Sequence, residues 1–152
     1  MSKAEVPVFL NPNIDFSDQI VLVVDDEEPY RMFISKVVEK YLKAKTVTAS
    51  NPKDAFELLL DIKPALIFLD MQMPLMDGQT ALRYIRANEK TSDIPVIVCT
   101  ALSNATLLFN LAKLGISDYI VKPSDPRTII EKAYKAITKY LEKQNTESES
   151  ES

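Results

Sequence analysis

Histidine is absent from this 152-residue chain, tryptophan is absent too, cysteine occurs once and glycine twice. Each scarcity removes a set of chemistries. Without histidine there is no Ser-His-Asp or Cys-His nucleophile pair, no imidazole metal ligand, and no phosphohistidine made on the chain itself. A lone Cys99 makes neither an internal disulfide nor a zinc site. With only Gly78 and Gly115, neither a G-x-G-x-x-G dinucleotide turn nor a G-x-x-x-x-G-K phosphate loop can be built. A basic excess is also missing: the net charge of -4 argues against a general nucleic-acid surface. No run approaches the roughly 18 apolar residues of a membrane span. Met1-Ser2-Lys3-Ala4-Glu5 lacks the basic-then-apolar layout of a secretion signal, so a cytoplasmic location without membrane contact is expected.

What is present is the balance of a globular protein, 46% hydrophobic and 26% charged, in a length that suits one domain. Short apolar, β-branched runs alternate with longer amphipathic stretches, the mark of a parallel sheet covered by helices. Five strands are expected at Ile20–Val24, Thr46–Ala49, Ala65–Leu69, Val96–Cys99 and Tyr119–Val121, nearly continuous in apolar character as strands buried on both faces should be. Between them, Pro29 stands near the start of a helix carrying Phe33, Val37 and Tyr41, and Asn51-Pro52 reads as N-cap and first helical position. Gly78–Ala87 carries Ala81, Leu82 and Ile85, and Asn104–Leu114 is followed by Gly115, where a left-handed cap is wanted. Asp125-Pro126 opens a last helix with Ile129, Ala133, Ile137 and Leu141. The pattern is (βα)5.

The ends differ. Asn145–Ser152 contains only Asn, Thr, Glu and Ser and should be a solvated, disordered tail. Residues 1–18 hold Pro7 and Pro12 around Val8, Phe9 and Leu10, and read as an N-terminal extension, either a loose lead-in or a docking segment. The expected division is therefore an extension over 1–18, the domain over 19–143 and the tail over 144–152.

In a parallel α/β sheet, ligands gather at the carboxyl ends of the strands. There the sequence puts Asp25-Asp26 after the first strand, Asp70 after the third, Thr100 after the fourth and Lys122 after the fifth. Acidic residues after strands often cap helices, and a lysine before proline is often plain surface; it is the conjunction at one edge that points to chemistry. Carboxylates crowded together raise one another's pKa unless a cation intervenes. Mg2+ suits this set, with Asp26 and Asp70 as direct ligands and Asp25 through water, whereas no calcium loop is present. Lys122 and the Thr100 hydroxyl can serve phosphoryl oxygens, which leaves Asp70 as the nucleophile of an in-line phosphoryl transfer.

Four segments carry a family resemblance: Val21–Asp26 (VLVVDD), Leu69–Gly78 (LDMQMPLMDG), Val96–Ala101 (VIVCTA) and Gly115–Pro123 (GISDYIVKP). From about Gln19 to Leu141 the chain resembles a response-regulator receiver domain of two-component systems, of the chemotaxis-type single-domain kind. The resemblance implies a doubly wound, flavodoxin-like three-layer sandwich with strand order 2-1-3-4-5. It implies Asp70 as phosphoacceptor, Asp25 and Asp26 as the acidic metal pair, and the Met71 backbone carbonyl as a further Mg2+ ligand. Thr100 is the implied switch hydroxyl, Tyr119 the switch aromatic, and Lys122 the phosphate-binding base, with a cis Lys122-Pro123 bond. The phosphoryl donor is a phosphohistidine on a sensor histidine kinase or histidine phosphotransfer protein, docking around Tyr30, Arg31, Ile34, Pro123 and Ser124. A downstream protein target then reads the face of the fourth helix, fifth strand and fifth helix, with no direct nucleic-acid contact and no enzyme activity beyond self-phosphorylation and self-dephosphorylation. A monomer or weak dimer is expected.

Two positions that vary in the family, Gln72 and Leu102, are expected to tune this chemistry, unless Leu102 merely begins the fourth helix. An apolar Leu102 is expected to disfavour water near the acyl phosphate and to slow its hydrolysis, which an unchanged lifetime in Leu102→Asn would refute. Other readings stay open. A phosphatase or phosphomutase with an aspartate nucleophile resembles families with a second Asp two residues on, where Gln72 here cannot act as an acid. A flavin-binding domain would need a phosphate loop after the first strand, where Asp25-Asp26-Glu27-Glu28 would repel phosphate. A receiver-shaped scaffold that only binds partners, or a module cut from a longer regulator, is also compatible.

Overall fold

The computed structural model describes residues 10–11, 15–101 and 104–151, with side chains through residue 148. In chain order the elements are β1 (Ile20–Val24), α1 (Glu28–Leu42), β2 (Lys45–Ala49), α2 (Pro52–Leu59), β3 (Leu66–Asp70), α3 (Gly78–Ala87), β4 (Val96–Thr100), α4 (Ala105–Lys113), β5 (Asp118–Val121) and α5 (Pro126–Glu151). All four strand pairings are parallel, and the sheet order is β2-β1-β3-β4-β5. The expected flavodoxin-like (βα)5 sandwich is the observed one.

The sheet is buried on both faces, and the alternation of side chains sorts it into two cores. Val21, Val23, Leu66, Phe68, Ile97, Cys99 and Ile120 pack with α1 and α5 on one side. Leu22, Val24, Ile67, Leu69, Val96 and Val98 pack with residues of α2, α3 and α4 on the other. Local signals set the helix starts: the side-chain oxygens of Asn51, Asp77, Asn104 and Asp125 each accept a backbone N–H three residues on, at 2.8–2.9 Å. Gly115 follows α4 with φ 76°, the left-handed cap its position called for.

Three features differ from the sequence expectation. Helix α5 continues through Glu151, past the point where a disordered tail was expected. Its residues 145–148 are exposed, as expected of so polar a segment, but extending an existing helix adds one hydrogen bond per residue without a new nucleus. Phe16, assigned to the N-terminal extension, is 2% exposed and packs in the α1/α5 core, its ring 6.0 Å from that of Tyr134. Ile34, named for partner docking, is 1% exposed in the same core and presents nothing to a partner.

Candidate functional site

Strand register and side-chain alternation assemble the site. Val24 of β1 lies opposite Leu69 of β3, and Asp70 opposite Cys99 of β4. One step past Val24, Asp25 therefore shares the level of Asp70 and Cys99. Asp25 and Asp70 have the parity of Val23 and Phe68, so both side chains stand on the α1/α5 side of the sheet end. Ile120 lies opposite Cys99, so Lys122, two residues after it, has the same parity two levels on. Thr100 has the parity of Val98, and its carbonyl oxygen accepts the Lys122 N–H at 2.8 Å.

The result is an acidic hollow. Asp25, Asp26, Glu27 and Asp70 each offer a carboxylate oxygen, all within 4.8 Å of one another. Asp25 and Asp70 are buried, whereas Asp26 and Glu27 face solvent. Lys122, whose side chain is 10% exposed, is the cation among them: its Nζ lies 2.7 Å from Asp25 Oδ2 and 3.5 Å from both Asp70 Oδ1 and Glu27 Oε1. Asp25 Oδ1 accepts the Glu27 N–H at 2.9 Å, and the Asp25 carbonyl accepts from Arg31 Nη1 at 2.7 Å. Both ends of this aspartate are thereby fixed.

Asp70 is less completely satisfied. Its Oδ1 accepts the Gln72 N–H at 3.2 Å, while Oδ2 is buried with no hydrogen-bond partner. A buried carboxylate oxygen without a partner costs about 1–3 kcal/mol, more when charged, and such an orphan calls for an occupant. Burial pushes the Asp70 carboxyl up to about 6; the Asp25 charge adds to this, and the Gln72 N–H and Lys122 oppose it. An all-oxygen set around one such atom is what Mg2+ takes, and the residues present fit that ion. The Met71 carbonyl, expected as a further ligand, accepts the Gly78 N–H at 3.1 Å and keeps a second lone pair.

Thr100 is fully buried at the end of β4. Tyr119 is exposed, with Lys132 Nζ 5.0 Å from its ring centroid. Gln72 has an exposed side chain, and Leu102 lies outside the described residues. The Lys122-Pro123 bond is cis, as the resemblance implied. Two neighbours of Lys122 were not singled out as site residues from sequence: Glu27, and Tyr30, whose ring centroid lies 4.5 Å from the lysine Nζ. Glu27 adjoins the acidic pair and could have been included. Nothing in the spacing of Tyr30 distinguishes a ring beside the site from an ordinary residue of the first helical turn.

Gly78 is required by close approach. A Cβ there would press on the Asp70 carbonyl oxygen and come within 2.7 Å of Met71 Cα, both backbone atoms that cannot swing aside. Gly78→Ala is expected to lower the free energy of unfolding by about 1–3 kcal/mol, measured by chemical denaturation, despite alanine's better helix propensity. An unchanged midpoint would mean that the loop yields freely.

No helix among the described residues is long and apolar enough to cross a membrane. Residues 21–134 match the family described as "Response regulator receiver domain". The chain is 32% identical over 111 residues to the chemotaxis protein CheY of Thermotoga maritima, covering 73% of this chain and 91% of that one. It is 34% identical over 110 residues to the phosphate regulon transcriptional regulatory protein PhoB of Pseudomonas aeruginosa, covering 72% of this chain but only 48% of PhoB. Among solved structures, CheY4 of Vibrio cholerae superposes with a TM-score of 0.73 at 21% identity, over 78% of this chain and 98% of that one, a likeness of fold. NtrX of Brucella abortus gives a TM-score of 0.77 at 25% identity, over 85% of this chain and 29% of that one. Sheet order, acidic strand ends and sequence likeness converge: the chain belongs to the response regulator receiver domain family, the signalling receivers of two-component systems.

Proposed function

We propose that Asp70 accepts a phosphoryl group from a phosphohistidine on a partner protein and that the modified domain changes its α4-β5-α5 face to control binding of a downstream target. The observation that carries this reading is the buried, partnerless Oδ2 of Asp70 beside a single nearly buried lysine and three further carboxylates. Asp25, Asp26 and Asp70, with the Met71 carbonyl, would hold Mg2+, which supplies charge neutralisation for the transferring group. Asp70 then presents Oδ2 to phosphorus: the new O–P bond forms as the bond from phosphorus to the donor nitrogen breaks, and the leaving imidazole takes up a proton. Lys122 meets charge developing on a phosphoryl oxygen, and Thr100 donates its hydroxyl to another.

Tyr119, exposed in this structure, turns inward when Thr100 moves toward the phosphoryl group, so that contacts present only with phosphate bias a two-state surface. The docking surface for the donor is the exposed part of the first turn of α1 with Pro123 and Ser124. The domain acts in the cytoplasm as a monomer or weak dimer, with residues 19–143 as its receiver unit and Gln72 and Leu102 tuning the lifetime of the acyl phosphate.

Incubation with a small acyl phosphate or phosphoramidate and MgCl2, followed by intact-mass spectrometry, is expected to show one added phosphoryl group in the native chain and none in Asp70→Asn or with excess chelator. Failure of the native chain to accept the group from every such donor would leave a scaffold that only binds partners.

A further inference from the structure

Lys122 is held from two sides of different character. On one side are carboxylates, Asp25 at 2.7 Å and Asp70 and Glu27 at 3.5 Å. On the other is the ring of Tyr30, 4.5 Å from Nζ to centroid, within the range where the negative face of an aromatic attracts an ammonium. The ring is itself fixed: it packs 6.0 Å from Phe33 in a tilted pair, and its hydroxyl is buried with no hydrogen-bond partner. The contact between Tyr30 and Lys122 is made by the ring face.

We propose that Tyr30 is a positioning residue whose ring face seats the Lys122 ammonium beside Asp70, and that this seat matters most when a divalent cation occupies the acidic hollow. The proposal rests on Asp70 being the phosphoacceptor with Mg2+. Asp25 is the nearest anchor of Lys122, at 2.7 Å, yet Asp25 is one of the carboxylates a metal would claim. A cation there competes with the ammonium for the same charge and repels it. The ring carries no net charge, does not bind Mg2+, and among the described residues is the one partner of Lys122 for which the metal does not compete. It keeps a positive charge at the strand end where phosphoryl oxygens arrive, a position that electrostatic catalysis needs set beforehand.

The test compares Tyr30→Phe, Tyr30→Leu and Tyr30→Met in the full chain. Loss of the ring is expected to slow phosphorylation by a small acyl phosphate roughly tenfold in both aliphatic variants, while Tyr30→Phe stays at the native rate. The Met variant guards against a local packing defect peculiar to Leu, and thermal unfolding checks that each is folded. A second readout needs no phosphorylation: ring current should shift the Lys122 ε-methylene protons upfield in NMR spectra of the native and Phe proteins. That shift should persist on titration with MgCl2 and vanish in the Leu and Met proteins. Equal rates across the series, a Phe variant as slow as Leu, or an ε-methylene signal that returns to the ordinary lysine position when MgCl2 is added would each overturn the seat. If the native protein takes no phosphoryl group at all, the receiver chemistry fails, while the NMR shift still decides whether Tyr30 holds Lys122.

Discussion

Lys122→Ala is expected to slow phosphoryl transfer to Asp70 by about two to three orders of magnitude, the loss typical when a preorganised charge at a developing oxyanion is removed. The same change should destabilise the metal-free protein, because two carboxylates buried at the strand ends, Asp25 at 1% and Asp70 at 2% exposed, would lose their nearby counter-ion. Stranding a buried partner costs up to about 3–5 kcal/mol, moderated here because the hollow opens to solvent at Asp26 and Glu27. The two effects separate on addition of MgCl2. An ion among the carboxylates supplies the missing positive charge and should restore much of the stability, but it does not replace a donor aimed at the phosphoryl group, so the rate should stay low. Lys122→Arg should rescue poorly, since a planar fork cannot occupy the place of a compact ammonium between Asp25 and Tyr30. Urea unfolding with and without MgCl2, beside single-turnover phosphorylation, reads both. A Lys122→Ala protein that phosphorylates at the native rate would show that the ammonium is structural.

Asp70→Asn is expected to stabilise the metal-free protein near neutral pH, although it deletes the proposed nucleophile. In the folded state the Asp70 carboxyl is pushed up to about 6, chiefly by burial. In the unfolded chain it titrates near 3.9. The folded state therefore binds the proton more tightly, and native stability, fully present below about pH 4, is lost as pH rises through the window to about 6. With part of the site open to water, the loss is on the order of 1 kcal/mol. Removing the charge removes this slope, so Asp70→Asn should unfold about 2–4 °C above the native protein at pH 7 without metal and be nearly level with it below pH 4. Magnesium should reverse the order at pH 7, because the ion stabilises whichever form binds it more tightly. A native protein more stable than Asp70→Asn at pH 7 without metal would mean that Lys122 and the Gln72 N–H already outweigh burial.

Much of the fold was legible because a parallel sheet buried on both faces leaves uninterrupted apolar runs. Val21–Val24 and Val96–Cys99 could hardly be anything else, and Asn51-Pro52 and Asp125-Pro126 mark helix starts where each cap accepts a local backbone N–H. Strands β3 and β4 end one residue later than expected, because Asp70 and Thr100 are polar and hydropathy stops before them, while the backbone ladder carries the strand on to include them. Phe16 was assigned to the lead-in because its burial depends on Tyr134, more than a hundred residues away, which no local window can see. The helical continuation of α5 was missed because its composition speaks only to solvation. In the site, Asp25, Asp70 and Lys122 were legible from their places at strand ends, and the two carboxylates lie 2.7 and 3.5 Å from the lysine Nζ. Tyr30 was not, because its relation to Lys122 arises from how α1 lies across the sheet end.

The most direct measurement is chemical trapping of the acyl phosphate. After treatment with a small phosphodonor and MgCl2, borohydride reduces an aspartyl phosphate to homoserine, and peptide sequencing by mass spectrometry locates the altered residue. Homoserine at position 70, dependent on MgCl2 and confined to that position, is the expected result. Unmodified Asp70 in a folded, magnesium-loaded sample, or homoserine at Asp25 or Asp26 instead, would contradict the assignment of this carboxylate as the acceptor.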